Sequence, residues 1–264
     1  MGNDTQRPLK PPAAEFSYFG LQAHVGTTKH MGGLETTKTL AELCHITGDT
    51  YVLDAGCGVG ATTCYLARTY GSRVVGVDIS ERMVALSGER AKREGVEGNV
   101  EFRVGDVRHL PFDDALFDVV LCESVVAFIE QRQQAVDELV RVTGPGGYVG
   151  LNEVVWARTP TAEMVEFAER TWEIRAPIPR AEGWADLLDT AGLREVVAKT
   201  YKLDALREAS QIRRYGFRDL FGMLRRTLSL YAGSAAFRKY MSERPRVPRN
   251  LFEHLGYGIF VGRK

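Results

Sequence analysis

The chain has 264 residues, 44% hydrophobic and 26% charged, close to soluble globular averages, which argues against a disordered, collagen-like or membrane-spanning protein and suits one α/β domain with insertions. Its 34 basic and 34 acidic side chains cancel, so no global field draws it to nucleic acid or to an anionic membrane, and any such attraction has to be local.

Residues 1–17 are polar and proline-rich (Pro8, Pro11, Pro12) and are expected to form a mobile arm. They show no apolar core of a secretory signal, and Gly2 lacks the downstream Ser or Thr of a myristoylation site, so a cytoplasmic protein is expected. The cysteines Cys44, Cys57, Cys64 and Cys122 form no CxxC pair, which argues for buried thiols and against a zinc site or a disulfide framework.

Leu40, Leu43 and His45 follow a helical spacing that predicts a helix over 36–45, closed by a turn at Gly48-Asp49. Tyr51-Val52-Leu53 then reads as a strand entering the turn Asp54-Ala55-Gly56-Cys57-Gly58-Val59-Gly60, with a helix over 61–70 stopped by Gly71. The pattern repeats as a buried strand over 73–77 ending at Asp78, and a helix capped by Ser80 that runs to about residue 93. Further strands are predicted over 100–104, before Gly105-Asp106, and over 117–122. A helix over 131–142, the turn Gly144-Pro145-Gly146-Gly147 and a strand over 148–152 follow. Strands alternating with helices at this spacing imply right-handed crossovers and a parallel, doubly wound Rossmann-like sheet.

Beyond this point the rhythm breaks. A helix over 161–172 and a connector with Pro177 and Pro179 form one insertion. A helix over 181–191 and a strand over 194–202 return to the core, residues 203–254 form a second helical insertion, and 256–261 closes the chain as a strand. We therefore expect a single domain: arm and lid to 34, cofactor-binding core 35–156, insertion 157–180, core 181–202, helical cap 203–254 and last strand 255–264.

The glycine turn between strand end and helix start lets a nucleotide-like ligand approach the backbone, where unpaired N–H groups point outward. Gly56, Gly58 and Ala61 also satisfy the loose GxGxxG/A fingerprint of dinucleotide-binding oxidoreductases. Asp78 stands 22 residues after Gly56, at the end of the next strand, where a carboxylate accepts ribose hydroxyls in either class of protein.

Asp54–Gly60, Val77-Asp78-Ile79-Ser80, Gly105-Asp106-Val107, Phe117-Asp118-Val119-Val120 and the Arg141–Gly147 stretch resemble, in order, the motifs of class I S-adenosylmethionine-dependent methyltransferases, over roughly residues 30–156. The closest likeness is to the small-molecule enzymes that methylate quinones and phosphobases. The resemblance implies a seven-stranded sheet whose last strand is antiparallel, and S-adenosylmethionine as cofactor. It places the methionine part of that cofactor on Asp54, Gly56, Cys57, Gly58 and Gly60, the ribose on Asp78, and the adenine between Ile79 and Met83. Asp106 and the Val107 N–H would read the adenine edge. Tyr18 and His30-Met31-Gly32-Gly33 look like the lid segment that closes over the cofactor in related enzymes.

Glu123 and Glu153 are expected just beyond the fourth and fifth strands, where doubly wound sheets bind ligands. Both are catalytic candidates, Glu123 near the sulfonium or the cofactor ammonium and Glu153 against an acceptor amine or hydroxyl. His24 and His30 are candidate bases.

In the second insertion, residues 203–254 hold eleven Lys/Arg against five Asp/Glu, and Leu220, Phe221, Leu224, Leu228 and Tyr231 share a helical face. This predicts an amphipathic cap over the substrate side, suited to an anionic or lipid-like acceptor. The expected function is methyl transfer to an N, O or C nucleophile of a small molecule, with no nucleic-acid partner and with a homo-oligomer left open. The alternatives are an NAD(P)-binding oxidoreductase and a non-catalytic S-adenosylmethionine-binding protein.

Overall fold

The computed structural model describes residues 16–27, 30–203 and 217–264; residues 1–15 of the arm predicted over 1–17, and residues 204–216 of the second insertion, lie outside the described residues. A seven-stranded sheet runs in the order β3-β2-β1-β4-β5-β7-β6. Its strands are β1 (Tyr51–Ala55), β2 (Arg73–Asp78), β3 (Val100–Val104), β4 (Phe117–Glu123), β5 (Thr143–Trp156), β6 (Arg194–Lys202) and β7 (Leu255–Arg263). Strands β1 to β5 pair in parallel, whereas β7 runs antiparallel to both β5 and β6. The predicted α/β class, the strand sequence and the antiparallel closing strand are all present.

Helix α2 (Leu34–Leu43) precedes β1, and the crossover helices are α3 (Ala61–Tyr70), α4 (Glu81–Glu94), α5 (Arg132–Val142) and α7 (Ala181–Thr190), with α6 (Ala162–Trp172) in the first insertion. They form where the sequence places apolar stripes between caps. Ser80 accepts from the Met83 N–H at the start of α4, and Gly71 and Gly95 take left-handed conformations after α3 and α4. The core lies on both faces of the sheet, with Val52, Leu53, Val120, Leu121 and Leu151 fully buried. All four cysteines are buried and form no disulfide.

Three features differ from the sequence reading. Helix α1 (Tyr18–Val25), capped by the Ser17 hydroxyl and ended by Gly26, occupies a stretch read only as lid. Strand β5 begins at Thr143 and absorbs the glycine turn as an irregularity: its register jumps between the Phe117↔Thr143 and Val119↔Tyr148 pairs, and a Cβ on Gly147 would lie 2.4 Å from the Asp118 carbonyl. The same strand continues four residues past its predicted end, because β7 pairs with it from Tyr148 through Trp156.

The second insertion contains α8 (Phe217–Gly233), α9 (Ala235–Ser242) and the short α10 (Leu251–His254). The stripe expected to face the substrate side points outward instead: Phe221, Leu224, Leu228 and Tyr231 are exposed. What seats the cap is a separate contact, in which buried Phe237 packs against Phe16 at 5.3 Å between ring centroids. Among the described residues, no helix is long and apolar enough to cross a membrane.

Candidate active site

Strand order reverses at β1, which has β2 on one side and β4 on the other, so a crevice opens at the carboxyl ends of β1 and β4. The glycine turn fills this point. Gly56 and Cys57 donate their N–H groups to the Val77 carbonyl at 2.7 and 2.9 Å, anchoring the turn to β2. Gly56, Gly58 and Gly60 all have positive φ, and a Cβ on Gly56 would lie 2.3 Å from Val125 Cγ2. Only glycine keeps this backbone open.

Asp78, at the end of β2, takes one hydrogen bond on each oxygen: Gly58 N–H to Oδ2 and Ser80 N–H to Oδ1, both at 2.9 Å. Each oxygen retains a further lone pair. Burial pushes its carboxyl above the usual range and the two N–H groups pull against that. Beside it, Ile79 is exposed, whereas Met83 is buried with Val59 and with Ala23 of α1. Asp106 is bonded to the side chain and N–H of Arg108. Partial burial raises its carboxyl, but the Arg108 guanidinium and N–H outweigh this and hold it below the usual value. Val107 is buried.

Asp54 sits beneath the glycine turn, buried, and accepts the Thr63 hydroxyl at 2.6 Å. Burial raises its carboxyl to about 7, with the negative charges of Glu123 and Asp78 adding to the effect.

Both candidate catalytic carboxylates lie elsewhere than the sequence placed them. Glu123 is the last residue of β4, not beyond it, and is only 8% exposed. It accepts from Thr62 at 2.8 Å and Thr37 at 3.0 Å on Oε1, while Asn152 Nδ2 and His30 Nδ1 lie 3.4 and 3.2 Å from Oε2. It thereby ties α2, α3, β5 and the lid segment together. Glu153 lies inside β5 and is 0% exposed, because the pairing with β7 carries the strand past it. Its Oε1 accepts the Val125 and Val126 N–H groups at 3.0 and 2.8 Å, and its Oε2 accepts the Ala127 N–H at 3.2 Å. These are donors of the 3-10 turn Val126–Phe128 and its approach, so the carboxylate shapes the loop that follows β4. Burial raises Glu153 to about 7, opposed by those three donors and by Arg132.

The folded chain holds the Asp54 and Glu153 protons more tightly than free carboxyls at 3.8 and 4.5 would. Between those values and about pH 7 the unfolded state therefore binds fewer protons than the folded one, so these groups make stability fall as pH rises. We expect the thermal midpoint of the ligand-free chain to decline from about pH 5 to about pH 8, and Glu153→Gln to flatten that decline. A rise across the same range would contradict the assignment.

The lid residues converge on this crevice. Gly33 starts α2 with φ of 59°, and a Cβ on Gly32 would lie 2.3 Å from Thr36 Cγ2 and 2.8 Å from the Tyr257 ring. Asn152 Nδ2 donates to the Met31 carbonyl at 2.7 Å, while its Oδ1 finds no partner among the described residues. The Tyr18 ring stacks on Phe128 at 5.7 Å, and its N–H donates to Glu173. His24, by contrast, bonds within α1 to the Gly20 carbonyl. Asn152 and the Thr37–Thr62 pair were not singled out in the sequence. A polar Asn next to Glu153 in a strand with apolar neighbours is the signal that could have found Asn152, and nothing local marks the two threonines.

Residues 53–151 match the profile of the methyltransferase domain family. Over 168 residues the chain is 30% identical to phosphoethanolamine N-methyltransferase 1 of Arabidopsis thaliana, covering 64% of this chain and 33% of that protein. It is 33% identical over 165 residues to methyltransferase GfsG of Streptomyces halstedii, covering 61% of this chain and 59% of that protein. The chain thus spans about a third of the length of the plant relative and under two thirds of the bacterial one. Among solved structures, a S-adenosylmethionine-dependent methyltransferase from Thiobacillus denitrificans in complex with S-adenosylhomocysteine superposes with a TM-score of 0.68 at 21% identity, covering 91% of this chain and 96% of that one.

Proposed function

With residues 53–151 a methyltransferase domain and the sheet sharing the fold of S-adenosylmethionine-dependent methyltransferases, we propose that this chain transfers the methyl group of S-adenosylmethionine to an N, O or C nucleophile of a small molecule. The observation that carries the reading is the gathering of three carboxylates around the glycine turn: Asp54 on Thr63, Asp78 on the Gly58 N–H and Glu123 on Thr62. A sulfonium and an ammonium are favoured there, whereas the diphosphate of a nicotinamide cofactor meets like charge. This weighs against the oxidoreductase alternative.

When bound, S-adenosylmethionine supplies a methyl group activated by its sulfonium. The chain's own residues bind, orient and exclude water. The second lone pair on each Asp78 oxygen suits the ribose hydroxyls, and Ile79 and Met83 suit the faces of the adenine, Met83 from beneath. Asp106 shares its carboxylate between Arg108 and the adenine amino group, beside the Val107 N–H. The Gly56, Cys57, Gly58 and Gly60 backbone receives the methionine part, with the orphaned Asn152 Oδ1 and the Glu123 oxygens as acceptors for its ammonium. His30, Gly33 and Tyr18 close the lid above it.

Glu153 acts in this reading as a positioning residue, since its oxygens hold the backbone of the loop after β4, whereas Glu123 both ties the lid to the sheet and faces the ammonium. Rate then comes from alignment of acceptor and methyl group in a site shielded from water.

Calorimetric titration with S-adenosylhomocysteine, with NADH as control, tests the proposal. We expect roughly micromolar affinity for the former and none for the latter. Binding of NADH alone would overturn it, and tight S-adenosylhomocysteine binding without methyl transfer to a broad acceptor panel would establish the non-catalytic alternative.

A further inference from the structure

Helix α8 has a seated side and an open one. On the seated side it packs against α1 and α9, and Arg226 Nε donates to the Val25 carbonyl at 2.7 Å. On the open side Phe221, Leu224, Leu228 and Tyr231 are 62, 56, 60 and 57% exposed. Their spacing of three and four residues lines them along one face of a 17-residue helix. An apolar stripe this continuous marks a contact surface, unlike the scattered exposed side chains of ordinary protein surfaces.

Charge indicates what it contacts. Arg225 is exposed at the edge of the stripe, and Arg238 is held at its end by bonds from Nη1 to the Tyr231 and Ala232 carbonyls. Between residues 220 and 250 the chain has seven Lys/Arg and a single acid, Glu243. Two such faces brought together would oppose like charges, so a second copy is disfavoured. An anionic bilayer offers the complement: an apolar interior for the stripe and phosphates for the arginines, with Tyr231 at the level of the headgroups.

We propose that α8 docks the chain on an anionic lipid surface, with Phe221, Leu224 and Leu228 buried in the interface and Arg225 and Arg238 on lipid phosphates. The net charge of zero is compatible with this, because the attraction is local to the cap.

The test is co-sedimentation of the full chain with vesicles of phosphatidylcholine alone and with roughly one third phosphatidylglycerol. We expect at least ~10-fold stronger binding to the anionic vesicles, weakened when salt is raised from ~0.1 to ~0.5 M. Leu224→Ser with Leu228→Ser, and separately Arg225→Glu, should each reduce binding about 10-fold while leaving the affinity for S-adenosylhomocysteine and the thermal midpoint in place. The proposal is overturned by an absence of binding to anionic vesicles, by binding that neither variant reduces, or by a concentration-dependent dimer that both variants dissolve. None of these readouts depends on methyl transfer.

Discussion

Replacing Asp78 with alanine is expected to weaken S-adenosylhomocysteine binding by about 100-fold or more, the loss for removing two hydrogen bonds to a charged group. The effect has two sources. The variant lacks the acceptors proposed for the ribose hydroxyls, and it also releases the Gly58 and Ser80 N–H groups that the carboxylate holds at 2.9 Å. Gly58 lies in the turn that would receive the methionine part, so the two ends of the cofactor site are coupled through one side chain. Asp78→Asn keeps one accepting oxygen and should lose less. Calorimetry on both variants separates the contributions, and unchanged affinity in Asp78→Ala would remove the ribose assignment.

Replacing Glu153 with alanine is expected to destabilise the fold by ~3–5 kcal/mol, the scale for breaking a buried charged network by deleting one partner. Three backbone N–H groups, of Val125, Val126 and Ala127, would lose their acceptor in a buried setting, and Arg132 would lose an opposing charge. Glu153→Gln retains one oxygen and should cost about 1–3 kcal/mol. Urea unfolding measures both. A reacting group would behave differently: turnover would collapse in the glutamine variant while its unfolding midpoint stayed in place. That outcome would restore Glu153 to the chemistry and refute its positioning role.

Much of the fold was legible because its signals are local. Strand, glycine turn and helix announce themselves within twenty residues at 51–70, and α3 runs from Ala61 to Tyr70 as its caps predict. The turn glycines were legible for the same reason, since positive φ next to Val125 admits no side chain. Asp78 and Asp106 were placed at strand ends by the same periodicity.

The misplaced residues depend on partners far along the chain. The sequence ended β5 at Asn152, but Glu153 pairs with Gly258, more than a hundred residues later, and so enters the sheet. Whether its carboxylate faced an acceptor or the loop after β4 was decided by that register. The amphipathic stripe of α8 was correctly read as a stripe, yet periodicity fixes only that one face is apolar, not which way it turns. Arg226, bonded to the Val25 carbonyl, fixed its orientation by seating the opposite side on α1, beside α9. The sequence by itself determined the order and kind of the core elements, because hydrophobic period, caps and glycine turns act over a few residues. Only the tertiary structure decided which side chains meet at the site and which faces stay open, because those are settled by packing between segments that the chain brings together from a distance.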